Sequence, residues 1–342
     1  MIHRRHFLQH ASTALMTSSL WGEARAAQNQ KTLRLGLISG ASYGRPGKSR
    51  KPGSHHGTAF ATAFNGWDAS HLEDIRGTFV KSARRVEGAR VMKLWDPDPG
   101  AARALATVCG IEHITSTPEA CCDGMDAVLI VDDGSGSHWR YADYPLRKGI
   151  PTFCDKPLAM TAREAAGIVR IAREAGTPFM SSSSLRFVPD IVELRGALSS
   201  LGSVHLAQAV CGHDLIYYGI HALSMIYAVL GGGAVSAVNV GREDRNIVRI
   251  RFSQGLDVVL IVADSTRMQA GYQLNLYGAK GWRTLTPDLR HLYTYLLETF
   301  IHCVSTGKEP YPIEQEVELI AALEASQRSL ELGREVQVHE VM

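Results

Sequence analysis

Between residues 33 and 182, short apolar runs alternate with stretches of about ten residues at helical spacing, and no other feature of the sequence restricts the fold as much. The runs at 33–39, 89–95, 127–131, 151–154 and 179–182 read as buried strands. Residues 99–109, 138–148 and 162–175 read as the helices between them. This alternation implies right-handed crossovers and a doubly wound parallel sheet, the α/β class. The first helix comes late. Residues 41–56 are rich in glycine, proline and basic side chains and read as an insertion, with the helix starting at Gly57.

After residue 187 the pattern changes. A helix over 190–198, a strand over 203–210 and a helix over 220–230 are followed by strands at 234–240, 246–252, 257–264 and 273–277 with no helices between them. Consecutive strands of this kind make an open, mostly antiparallel sheet in an α+β unit. Residues 314–331 close the chain with an amphipathic helix, apolar at 317, 319, 320, 323 and 330.

Residues 1–26 carry paired arginines (Arg4, Arg5), a mildly apolar stretch and Ala24-Arg25-Ala26, the order of a twin-arginine export signal with its cleavage site. This predicts an exported, periplasmic protein. The segment holds three arginines and one glutamate, so the whole-chain charge of +2 becomes 0 without it. A neutral body argues against nucleic acid as a partner. No apolar run approaches the roughly 18 residues of a membrane span. The six cysteines (109, 121, 122, 154, 211, 303) include no C-x-x-C pair, and export permits a disulfide without requiring one.

Parallel sheets bind ligands at the carboxyl ends of their strands. The first end, Ser39-Gly40-Ala41-Ser42-Tyr43-Gly44, lies where a dinucleotide fingerprint would. Ser39 and Ala41 hold the first two glycine positions, and only Gly44 matches. Asp96, at the second strand end, either accepts both ribose hydroxyls, which favours NAD over NADP, or caps the turn before Pro97. Asp133 and His138 belong to a polar loop beside the expected nicotinamide. Lys156 follows a strand end and is positioned to hydrogen-bond a reacting hydroxyl and stabilise its alkoxide, unless it is simply a structural lysine. Tyr217 and His221, four apart, share a face if that segment is helical. His221 titrates near neutral pH and suits proton transfer, although histidines at helix starts are often packed core residues. The spacing of His55, His56, His213 and His221 matches no metal-ligand pattern, so no metal is expected.

Asp155-Lys156-Pro157 is similar to the Glu-Lys-Pro motif of the Gfo/Idh/MocA family. Ser184-Leu185-Arg186-Phe187-Val188-Pro189 resembles its Asn-x-Arg-Phe-x-Pro segment, Gly219-Ile220-His221 its Asp-x-Gly-x-His helix start, and the stretch from Ala322 to Arg334 its closing helix. The resemblance implies a Rossmann domain binding NAD or NADP over 31–157. A domain for substrate binding and association would span 158–342, its last helix packing back on the first. It also implies a sugar, polyol or related substrate. Lys156 and His221 become the polar catalytic pair, Arg186 lies near the substrate, and Asp155 and His138 border the cofactor.

The sequence departs from the motifs in places. Asp155 is one methylene shorter than the usual glutamate, and Tyr217 stands where an aspartate would orient the histidine. A phenol with a pKa of about 10 cannot do that as an anion. Tyr217, with Tyr218, can instead face the substrate, or Asp214 can take over. The expected protein is an oxidoreductase with tightly held NAD (NADP being the alternative) that forms a homo-oligomer through the C-terminal sheet. A glycosidase or lyase using transient oxidation and a non-catalytic sugar-binding protein are the competing expectations.

Overall fold

The computed structural model describes residues 32–43, 49–75, 84–132 and 138–342. Six parallel strands make the first sheet: β1 (Leu33–Ile38), β4 (Ala89–Trp95), β5 (His113–Ile114), β6 (Ala127–Ile130), β7 (Thr152–Cys154) and β8 (Phe179–Ser181). Their order is β5-β4-β1-β6-β7-β8. Between β1 and β4 lies a short antiparallel ribbon, β2 (Ser42–Tyr43) with β3 (Lys51–Pro52). Helices α1 (His55–Asn65), α2 (Pro99–Cys109), α3 (Pro118–Cys122), α4 (Trp139–Arg147) and α5 (Ala162–Ala175) make the connections. This is the Rossmann order, and its β8 extends past the domain boundary expected at residue 157. The segment expected as an export signal, and Gly44 and Asp133, lie outside the described residues.

Local chemistry fixes the helix ends. The Ser54 side chain accepts from Gly57 N, and Asp98 caps α2 ahead of Pro99. The Thr161 hydroxyl accepts from Glu164 N, and α5 stops at Gly176 in the left-handed conformation. The junction of β1 with α1 is tight: a Cβ on Gly57 would sit 1.9 Å from Gly40 O. Gly57 therefore fills the helix-packing role of the last fingerprint glycine, which the sequence had assigned to Gly44. The insertion displaced it along the chain. Ser39, at the first fingerprint position, keeps the left-handed backbone a glycine would supply (φ 55°), at a cost of about 1–2 kcal/mol for a residue with a side chain.

After a single 3-10 turn at Ser184–Phe187 comes α6 (Pro189–Gly196), and then the second sheet. Its strands are β9 (Val204–Gly212), β10 (Ala234–Asn239), β11 (Arg245–Phe252), β12 (Asp257–Ala263), β13 (Gln273–Gly278), β14 (Gly281–Leu285) and β15 (Val336–Gln337), ordered β14-β13-β9-β12-β11-β10-β15. Only the β9–β12 pair is parallel. Alternate side chains such as Val248, Ile250, Val258, Leu260, Leu274 and Leu276 are buried under α7 (Gly219–Leu230) and α9 (Glu314–Leu332). On the other face Leu206, Ile247, Tyr277 and Trp282 are exposed.

The chain then returns to the first sheet. Helix α8 (Leu292–Thr306), which has no counterpart among the helices read from the sequence, buries Leu296, Leu297 and Phe300 with Leu35 and Leu37 of β1. Helix α9 packs on α5. All six cysteines are free and buried, and among the described residues no helix is long and apolar enough to cross a membrane.

Candidate active site

Lys156 follows β7 directly and is only 3% exposed. Its Nζ lies 3.9 Å from the centroid of the Tyr217 ring and 5.2 Å from that of Tyr218, and it donates to Tyr217 O at 3.4 Å. The two phenol rings attract the ammonium by its charge. Tyr217 and Tyr218 belong to the turn before α7, not to the helix, so helical spacing is not what relates Tyr217 to His221.

His221 sits in the first turn of α7, buried, with Nδ1 2.7 Å from Ser183 Oγ and its ring edge-on to Tyr272. Burial pushes its pKa well below 6.5, and the nearby charges of Lys156 and His56 push the same way. The imidazole is therefore neutral at pH 7, as a proton acceptor must be. Its orienting partner is Ser183, not Asp214. The Asp214 carboxylate is exposed and caps its own turn, accepting from Ile216 N and Tyr217 N.

Asp155 is buried, and its carboxylate is bonded to His56 Nδ1. Burial alone would raise its pKa, but His56, then Lys156 and His138, outweigh that and hold it below the usual range. His138 is buried as well, close enough to act on the Asp155 carboxyl. Ser183 and Tyr272 went unrecognised in the sequence, and His56, in the first turn of α1, was weighed only as a metal ligand. The polar run Ser181–Ser184 at the end of β8 was the available signal for Ser183.

The cofactor end differs from expectation. Asp96 is turned into the protein: Oδ2 accepts from Ala41 N and Ser42 N, both at 2.9 Å, while Oδ1 accepts from Ser42 Oγ and Asp98 N. These four bonds use the capacity of a carboxylate, so Asp96 is not available to ribose hydroxyls and does not itself select NAD over NADP. Ser39, Gly40, Ala41, Ser42 and Tyr43 follow β1 where the strand order reverses, the first four buried, and the amides of 41 and 42 are committed to Asp96. Tyr43 pairs with Lys51 across the β2–β3 ribbon. The frame itself fits a dinucleotide. The crevice opens where strand order reverses, between β1 and β6, the first position keeps its left-handed turn, and the Gly40–Gly57 contact leaves no room for a Cβ.

Arg186 does not face this cleft's polar groups. Its guanidinium is buried, donates to Gln315 Oε1 at 2.7 Å and Glu316 Oε1 at 3.4 Å, and stacks 3.6 Å from the Tyr311 ring centroid. It ties the turn after β8 to α9. The expectation that it contacts substrate is corrected to a structural role.

The depressed pKa of His221 has a measurable consequence. Below about pH 6.5 the unfolded imidazole takes up a proton that the folded one refuses, so acid favours the unfolded chain until the pH falls through the folded value. Replacing His221 with asparagine is expected to flatten the loss of stability below that pH. Urea denaturation across pH checks this, and an unchanged slope would mean the ring titrates normally.

Residues 51–183 match the family described as an oxidoreductase family with an NAD-binding Rossmann fold, Gfo/Idh/MocA. The chain is 24% identical over 321 residues to D-apiose dehydrogenase of Paraburkholderia graminis, spanning 75% of this chain and 84% of that protein. It is 31% identical over 184 residues to inositol 2-dehydrogenase 2 of Saccharopolyspora erythraea, spanning 53% of this chain and about half (51%) of that protein. Its fold superposes on myo-inositol dehydrogenase of Lactobacillus casei, solved with NAD(H) and myo-inositol, with a TM-score of 0.72 at 16% identity, covering 90% of this chain and 96% of that one. Residues 51–183 are thus similar to the NAD-binding Rossmann part of the Gfo/Idh/MocA oxidoreductases, and about 90% of the chain has the Gfo/Idh/MocA fold.

Proposed function

We propose that the protein is an NAD-dependent dehydrogenase acting on a secondary hydroxyl of a sugar, a polyol or a derivative. One observation carries this reading: the buried Lys156 ammonium, just past β7, and the buried His221 imidazole, in α7, flank the same Tyr218 ring, 5.2 Å and 6.0 Å from its centroid. The dinucleotide, when bound, supplies the hydride acceptor. Ser39, Gly40, Asp155 and His138 are the residues of this chain that would border it.

His221 takes the hydroxyl proton. In the tautomer whose Nδ1–H donates to Ser183 Oγ, the Nε2 lone pair is the accepting site, and burial keeps water from protonating it first. Lys156 holds the substrate oxygen as it gains negative charge, and the Tyr217 and Tyr218 rings fix the ammonium in place. Tyr217 itself can hydrogen-bond a neighbouring hydroxyl. Asp155, kept anionic by His56, balances the positive charge. The relatives named for inositol and apiose dehydrogenation support the substrate class. Tight retention of NAD, export of the loaded protein by the 1–26 signal, and association through the open face bearing Ile247 and Trp282 belong to the same proposal.

The test is to incubate the purified protein with NAD+ and a panel of inositols, pentoses and aldonic acids and follow NADH by absorbance. Net reduction with at least one polyol is expected. Cleavage of a glycoside with no net NADH, or no turnover with any of the panel, would sink the dehydrogenase reading.

A further inference from the structure

We propose that Arg50, on the insertion between β1 and α1, is the diphosphate-binding cation of the dinucleotide site. The proposal rests on the NAD-binding reading above and extends it to a residue outside the glycine loop. The Arg50 guanidinium spans the point where strand order reverses. Nη2 donates to Ser39 Oγ at 2.8 Å and Ser42 O at 3.0 Å, Nε to Ser42 Oγ at 3.0 Å, and Nη1 to Asp132 Oδ1 at 3.0 Å. Ser39 follows β1, Ser42 opens β2 and Asp132 lies just beyond β6, so one side chain joins the segments that leave the two central strands.

The need for a cation follows from the surroundings. In a glycine loop, backbone N–H groups approach the diphosphate. Here the amides of Ala41 and Ser42 both point at Asp96. Two carboxylates, Asp96 at 5% and Asp132 at 1% exposure, are buried in the same walls. A diphosphate brought there meets like charge and has lost two of its backbone donors. Arg50 corrects both deficits at once. Its planar fork matches phosphate oxygens in a bidentate way, and its bonds to two hydroxyls and a carbonyl can be exchanged for bonds to phosphate. The side chain is 26% exposed, so a ligand entering from solvent can reach it. The ribbon β2–β3 places it: Lys51, its neighbour, pairs with Tyr43, which fixes Arg50 above Ser42.

The experiment measures equilibrium binding of NAD+ by calorimetry to the full chain, to Arg50→Gln and to Arg50→Lys, with melting curves for each. Loss of a charge-assisted contact predicts affinity weakened roughly ten- to a hundredfold in Arg50→Gln, measured on protein that the melting curve shows to be folded although it has lost the Asp132 ion pair, with partial recovery in Arg50→Lys. If the unaltered protein binds NAD+ and Arg50→Gln binds it within about threefold, Arg50 is not the cation while the NAD reading stands. If Arg50→Gln binds more tightly, Arg50 obstructs the crevice and the proposal is overturned. If the unaltered protein does not bind NAD+, both readings fall together.

Discussion

Lys156→Met is expected to lower kcat by about a hundredfold or more, the scale of one lost acid–base or oxyanion contact. Methionine keeps nearly the same length and fits between the Tyr217 and Tyr218 rings, so the loss should fall on turnover and not on folding. The variant also has a second, independent signature. The Lys156 charge is one of the causes holding the His221 pKa down, after burial. Without it the imidazole binds protons more readily, and the acid limb of the rate profile should move to higher pH. The same substitution removes a charge that keeps Asp155 ionised. A variant with unchanged kcat and an unmoved acid limb would take Lys156 out of the mechanism.

Arg186→Ala should destabilise the fold more than Lys156→Met, Arg50→Gln or the asparagine substitution of His221. Removing one partner of a buried pair strands the other, at a cost of about 3–5 kcal/mol. Glu316 is fully buried, and its carboxyl pKa is already raised by that burial in spite of Arg186 and Tyr311. Without the guanidinium it rises further. A carboxyl whose folded pKa exceeds its unfolded one loses stability as pH rises between the two. The deficit of the variant, measured by urea denaturation, should therefore shrink as pH is lowered toward the ordinary carboxyl range. Arg186→Ala that folds as well as the unaltered protein but shows a raised KM would restore the substrate-binding assignment.

The class of the fold was legible because burial writes itself into periodicity. Strands β6 and β7 are buried at every residue and β1 over its last four, as strands covered on both faces must be. The antiparallel set β10–β13 could be read from the loss of intervening helices. Helix α8 was missed although Leu292, Leu296, Leu297, Phe300 and Cys303 follow helical spacing, because its start has no side-chain cap to mark it.

Lys156 and His221 were singled out by strand-end position and by resemblance, and the fold buries both beside the ring of Tyr218. The errors concern partners. Nothing in the spacing of Asp96 says whether its carboxylate faces solvent or the amides of its own loop, and Arg186 looks the same to a sequence whether it meets a ligand or Glu316, 130 residues away. Ser183 and Asp214 are both small polar residues near His221, and only the backbone path decides which of them reaches Nδ1.

The close seat of Gly57 on Gly40 means that the crossover from strand to helix is held at its two feet, not along the connecting chain. What joins those feet can vary in length away from its ends, where Ala41 and Ser42 hold Asp96 and His56 holds Asp155. Side chains in between can therefore be exchanged while the two anchored ends stay as they are.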